Sequence, residues 1–211
     1  MDIERFIAIR PYLYHLTDPR NVPLIIQDKR LISTKSLAID SELDDKKTVE
    51  FLRNKRSGHQ TLQRHGVEVY IRDQDPISMK SLAKGTTGGL TANDFLEILN
   101  ERVFFWPTIK DLKIHFERYE NEEPTILRFR TEDILTLNPS PEFCYLNSGA
   151  PRCIAHYGGK PAPRNRETFR VATQFERSHT SVREFTVVDQ ASLPSDIWQA
   201  NHPDGPWEMV K

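Results

Sequence analysis

"SVREFTVVDQASLP", residues 181–194, reads as a β-strand with an acid inside it. Valine, phenylalanine and threonine give "VREFTVV" the composition of a strand that packs on at least one face. Glu184 stands among them. An ionised carboxylate is costly to bury without compensation. The acid therefore faces solvent from an edge strand, or it serves a chemistry inside a cleft. Which of the two holds depends on what the rest of the chain builds around it.

Working back towards the N-terminus, "PYLYHLT" (11–17) gives a first strand. Asp18 and Pro19 then provide an N-cap and a first helical position for "DPRNVPLIIQDKR". "VEVYIR" (67–72) predicts a strand stopped by the turn-forming "DQDP". Thr91 caps a helix over "ANDFLEIL", followed by an aromatic strand, "RVFFWPT" (102–108), that Pro107 ends. "IKDLKIHFERYE" is amphipathic and helical, and "TILRFRTEDIL" supplies a further strand. From "NPSPEF" to "PAPRNRETF" the Pro, Gly and Asn content predicts long loops between short strands, and "PDGPWEMVK" reads as a tail. Strands and short helices in this order imply an α+β domain with a mostly antiparallel or split sheet.

Composition sets the context. The 211 residues suit one domain over 1–211, and 37% hydrophobic with 28% charged residues excludes a disordered or fibrous chain. No apolar run reaches the roughly 18 to 20 residues of a membrane span, and no secretory signal is read at the N-terminus, so a cytoplasmic location without membrane association is expected. Cys144 and Cys153 are expected to be reduced thiols. His115, His156 and His179 have no partner at metal-ligand spacing, so no metal is expected. The net charge of −1 advertises no global nucleic-acid field. A local one is offered by "KKTVEFLRNKRSGHQTLQRHG" (46–66), read as a basic helical insertion near 40–66 that runs to Arg56 and breaks at Ser57–Gly58. "GTTGGLT" (85–91) has the glycines of a phosphate-cradling turn but lacks the lysine that would make it specific, and reads as a flexible loop.

Four stretches in this order, "YHLTDPRNVPLIIQDKRL", "LNERVFFW", "NSGAPR…NRETF" and "VREFTVVDQASLPSDI", carry a resemblance. Together they resemble an uncharacterised bacterial family related to the DarT-type ADP-ribosyltransferases, over about Pro11 to Ile197. The resemblance implies an ADP-ribosyltransferase fold: a split β-sheet with flanking helices and NAD, the co-substrate, in the cleft. It places the first-strand histidine on His15, the aromatic position on Phe105 or Trp106 and the acid on Glu184. It also implies a nucleic-acid acceptor, DNA or RNA, and a toxin or phage-defence role with an antitoxin protein as partner.

The residue types suit that chemistry. Breaking the bond from ribose C1′ to nicotinamide develops positive charge on the sugar, which Glu184 would stabilise before accepting a proton from the acceptor. His15 would hydrogen-bond a ribose hydroxyl, and Phe105 or Trp106 would stack on nicotinamide. Arg20, on the first turn of the following helix, would approach the phosphates, and Thr17, at the end of the first strand, is expected among the cofactor-binding residues. Arg72, Arg53 and Arg56 would meet the acceptor. Two other classes stand beside this one. The first is a module that binds NAD or nucleic acid without turnover. The second is an NAD-consuming RNA 2′-phosphotransferase, which needs a fuller set of arginines and histidines.

Overall fold

The computed structural model describes residues 1–154 and 157–210. Cys153 lies at the edge of the undescribed stretch and His156 lies outside the described residues. The chain opens with α1 (Ile3–Ile9), capped by the Asp2 carboxylate on the Arg5 N–H, and continues into β1 (Tyr12–Thr17). Asp18 then caps a 3-10 turn at Pro19–Asn21, which leads into α2 (Val22–Asp28). β2 (Arg30–Ile32), α3 (Thr34–Ile39) and α4 (Asp45–Arg53) follow.

The basic stretch departs from its expected form. The helix stops at Arg53, and β3 (Gln60–Arg64) pairs antiparallel with β4 (Val67–Ile71) in a hairpin. His65 and Gly66 both adopt positive φ, 50° and 78°, as a two-residue hairpin turn requires. Leu37, Leu52, Leu62, Val69 and Ile71 form a small core of their own beneath this region.

α5 (Met79–Gly85) precedes α6 (Ala92–Asn100), where Thr91 and Asp94 complete a capping box. Then come β5 (Arg102–Phe105), α7 (Ile109–Phe116), β6 (Thr125–Arg130) and α8 (Thr131–Leu137). The loop-rich part holds β7 (Glu142–Cys144), β8 (Cys153–Ile154), β9 (Lys160–Pro161) and β10 (Arg170–Val171). β11 (Glu184–Val188), β12 (Gln190–Ser192), β13 (Trp198–Ala200) and β14 (Glu208–Met209) close the chain. The expected tail thus joins a sheet, because β14 pairs with β13.

The architecture is mixed α and β with antiparallel pairing. One four-stranded sheet runs β1-β6-β13-β14 and another runs β10-β7-β11-β5. They meet at an antiparallel bridge between Tyr14 and Trp106, whose N–H groups donate to each other's carbonyls at 3.0 and 2.8 Å. β5 ends at Phe105, and Pro107 directly follows the bridge residue. On the other side of the bridge a side chain spans the seam: His15 Nδ1 donates to the Phe104 carbonyl at 2.9 Å.

Behind the seam lies an aromatic core. Phe105 meets Phe129 and Phe185 edge-on, each at 5.8 Å between centroids, and Phe185 meets Phe143 at 5.4 Å. All four rings are fully buried. β11 sits between β7 and β5, so of the two alternatives for Glu184 the solvent-facing edge strand does not hold: the acid opens an interior strand. It is 5% exposed.

Candidate active site

Alternation along β5 decides which aromatics can touch a ligand. Successive side chains point to opposite faces of a strand. Val103 and Phe105 take the core face, which leaves Phe104 and Trp106 for the other. Phe105, expected as a candidate stacking surface, is therefore a core residue. Phe104 holds the place on the cleft face that the sequence reading gave to its neighbour, and strict alternation through "VFFW" was the signal that could have told them apart.

Three cavities converge on Trp106. The first, about 240 Å³, is lined by His15, Thr17, Asp18, Arg72, Phe104 and Trp106 among others. The second, about 220 Å³, adds Arg56, Asp73, Ser148 and Glu184 to Phe104 and Trp106. A third, about 440 Å³, runs from Trp106 and Glu184 out to Lys110, Arg152, Arg164 and Arg183. His15 and Glu184 do not share a cavity. They face neighbouring chambers that share Phe104 and Trp106 as walls.

Glu184 is held by a loop rather than by another charge. Its Oε1 accepts the Ser148 N–H at 3.0 Å, while Oε2 is buried with no hydrogen-bond partner among the described residues. Burial pushes this carboxyl up to about 7, with the Ser148 bond and the Arg164 charge acting the other way. Arg164, 2% exposed, organises that loop. Its Nε and Nη2 donate to the carbonyls of Ser148 and Asn147 at 2.8 and 3.1 Å, and Nη1 donates to Ala162 at 2.8 Å.

The glycine-rich "GTTGGLT" stretch anchors the same segment. Gly85 accepts from the Arg164 N–H at 2.8 Å and Thr87 donates to the Arg164 carbonyl at 3.0 Å. A Cβ on Gly85 would come within 3.1 Å of the Pro161 side chain and 3.3 Å of the Ala162 carbonyl, so a side chain there would press on this segment. Asn147, Ser148 and Arg164 were visible in the sequence as polar groups without assigned roles.

A carbonyl oxygen can only accept, so the bond to Phe104 fixes the neutral His15 proton on Nδ1 and leaves Nε2 as an acceptor. Burial lowers the pKa of this imidazole to about 4, so it is neutral at physiological pH. His115 is neutral for the same first reason, its pKa lowered to about 3, and it stacks on Trp106 at 4.1 Å and 23°.

The remaining predicted residues divide. Thr17 is buried and lines the first cavity, and its carbonyl accepts from Arg72 Nη2 at 3.2 Å. Arg72 also lies over the Tyr119 ring at 4.6 Å. Arg56 lines the second cavity but is 9% exposed and donates to Asn100 Oδ1 at 3.1 Å. Arg20 stands outside the cavity lining, paired with Asp18 at 2.7 Å and laid over Tyr70 at 3.6 Å. Arg53 is corrected from acceptor contact to structural clamp: it bonds Asp94 at 2.5 Å and Glu97 at 3.0 Å, joining α4 to α6.

The family described as DUF7002, a family of unknown function, matches residues 11–197. The chain belongs to it. No curated protein and no solved structure gives a match. The matched stretch takes in β1, β5 and β11, and so every wall of the three chambers named above. No helix among the described residues is long and apolar enough to cross a membrane.

Proposed function

We propose that this DUF7002 chain transfers ADP-ribose from NAD to a nucleic-acid acceptor on an ADP-ribosyltransferase-like split sheet. The observation that carries the reading is the unpartnered, buried Oε2 of Glu184, set in chambers that share Phe104 and Trp106 as walls with the chamber lined by His15, whose Nε2 is left as an acceptor. Buried polar atoms are normally satisfied, and an orphan in a cavity is best accounted for by a ligand that supplies the missing donor. Ribose hydroxyls supply donors to both Glu184 and His15. The seam between the two sheets, with His15 on one side and Glu184 on the other, agrees with the split-sheet cleft that the resemblance implies.

Each residue then has a task. His15 Nε2 accepts from one ribose hydroxyl, held in orientation by its own bond to Phe104. Trp106, backed by His115, offers a flat face to the nicotinamide ring. As the bond between C1′ and nicotinamide breaks, the Glu184 carboxylate stabilises the positive charge on the ribose. The acceptor nucleophile bonds to C1′, its proton passes to Glu184, and nicotinamide departs with the bonding pair.

The third chamber suits the acceptor. Lys110 and Arg152 line it together with Glu184, and Arg183 lines it while paired with Asp111 at 2.7 Å, so a phosphate-bearing strand could be held by the first two beside the reacting carbon. This moves the acceptor surface away from the 46–66 stretch, where Arg53, Lys55 and Arg64 are committed to carboxylates. Arg53→Ala is accordingly expected to leave single-stranded DNA and RNA binding within about twofold of wild type. Its stability cost should be no more than about 1 kcal/mol, as for partly exposed ion pairs. Filter binding and urea unfolding check both statements.

Trp106→Ala is expected to weaken NAD binding by about tenfold, the scale of one aromatic stack. Titration calorimetry measures it, and unchanged affinity would remove the stacking role. The test of the whole reading is incubation with labelled NAD and, separately, single-stranded DNA, RNA and a cell protein extract. Label on nucleic acid supports it, and label on protein corrects the acceptor. NAD binding with no nicotinamide release transfers the assignment to a binding module. Release of an ADP-ribose cyclic phosphate from 2′-phosphorylated RNA would assign the phosphotransferase chemistry instead.

A further inference from the structure

His59, Asp73 and Glu122 come from three separate segments: the approach to β3, the exit from β4 and a 3-10 turn (Glu120–Glu122) after α7. Their ligand atoms lie within 4.8 Å of one another. His59 Nε2 stands 3.2 Å from Asp73 Oδ2 and 3.1 Å from Glu122 Oε2. A nitrogen carrying at most one hydrogen thus faces two carboxylate oxygens.

The two His59 separations match those between donors sharing one small divalent ion, and the two carboxylates lie within 4.8 Å of each other. With metal–donor distances of about 2.0–2.2 Å, neighbouring ligands stand about 3 Å apart at right angles and about 3.4 Å apart in a tetrahedron. The outer support is also present. Asp73 Oδ1, the oxygen turned away from the imidazole, accepts from the Asp75 N–H at 2.9 Å and the Tyr119 hydroxyl at 3.4 Å, which orients Oδ2 towards the cluster. The side chains of His59 and Glu122 are about one-third exposed, leaving a path for entry and a coordination position for water.

We propose that His59, Asp73 and Glu122 bind one borderline divalent ion, of the kind Zn²⁺ represents, through one imidazole nitrogen and two carboxylates. Mixed nitrogen and oxygen donors without thiolate suit Zn²⁺ or Mn²⁺ better than a soft ion. This site does not depend on the transferase reading. It does touch the cleft, because Glu122 also accepts from Arg72 Nη1 at 3.3 Å, and Arg72 lines the first chamber. An ion that draws on Glu122 competes with that guanidinium.

The sequence reading expected no metal because it looked for ligands at short spacing. Here three separated segments bring them together.

The test is titration calorimetry of the metal-stripped full chain with ZnCl₂ and MnCl₂. One ion per chain is expected, with affinity reduced at least about tenfold in His59→Ala and in Asp73→Asn. X-ray absorption on the wild-type zinc form should show a first shell of nitrogen and oxygen with an imidazole signature, a readout that no variant's folding can disturb. The assignment is overturned by absence of binding at millimolar ion, by unchanged affinity in both variants, or by sulfur in the first shell.

Discussion

Replacing Glu184 with glutamine is expected to lower nicotinamide release by at least about 10²–10³-fold, the usual scale for losing one preorganised electrostatic contact in a water-poor site. The amide keeps the shape of the carboxylate, and its oxygen can still accept the Ser148 N–H. On the proposed mechanism, what it lacks is the negative charge that would face the developing cation and the basicity that would take the acceptor's proton. NAD affinity should therefore change by only a few-fold. The wild-type rate should carry the signature of the same group. With the carboxyl pushed up to about 7, turnover rises with pH through that value and levels above it, and the residual rate of Glu184→Gln shows no such inflection. Chromatographic assay of released nicotinamide between pH 5 and pH 9 measures both. A variant as active as wild type would show that the carboxylate has no part in the chemistry.

The same substitution should make the protein more stable. Folding raises the Glu184 pKa from the ordinary 4.5 to about 7, so between those values the folded chain holds a proton that the unfolded chain has lost. The stability associated with this group is fully present below pH 4.5 and is lost as pH rises through about 7. Above that the folded chain carries an ionised, buried acid at a cost of roughly 3 kcal/mol. Glutamine never ionises. At pH 8 Glu184→Gln should exceed wild type by up to roughly 3 kcal/mol, and Tm by roughly 6–12 °C for a chain of this length. At pH 4.5 the two should nearly coincide. The difference between the two proteins cancels the titration of every other carboxylate. Thermal melts at both pH values decide it, and a gap that does not grow with pH would mean the acid is not ionised inside the fold.

Gain of stability with loss of activity is what a carboxylate kept for chemistry produces. That pair of outcomes would also answer the puzzle of an acid inside an apolar strand. The local elements around that acid could be read from sequence because their causes are local. Asp18 and Thr91 announce their caps, Pro107 announces the end of β5, and "VREFTVV" announces β11. Pairing between distant segments has no such mark. β14 was hidden in a supposed tail and β13 was missed just before it, because β13 finds its partner in β6, some 70 residues upstream, and β14 finds its own only in β13. β3 was hidden because "QTLQR" shows one apolar residue, Leu62, and its reason for extending is β4.

The site divides on the same line. The resemblance pointed to His15, Trp106 and Glu184, and all three border the neighbouring chambers. Charge alone misassigned Arg53, because Asp94 and Glu97 approach it only after α4 and α6 pack. Arg164 was seen but given no role, since its work is to hold three carbonyls that only the folded loop gathers.

The seam at Tyr14 and Trp106 has two unlike sides. On the core side Phe105 packs on Phe129 across the sheets, while the opposite side carries Phe104 and Trp106 over the chambers. The arrangement is a crease with a sealed back. Spreading it would break the two backbone bonds of the bridge, the His15 tether and a buried ring contact together, so a ligand meets walls that are already set. Selectivity in such a crease rests on fit at entry rather than on closure after it, and little binding energy is diverted into reshaping the host.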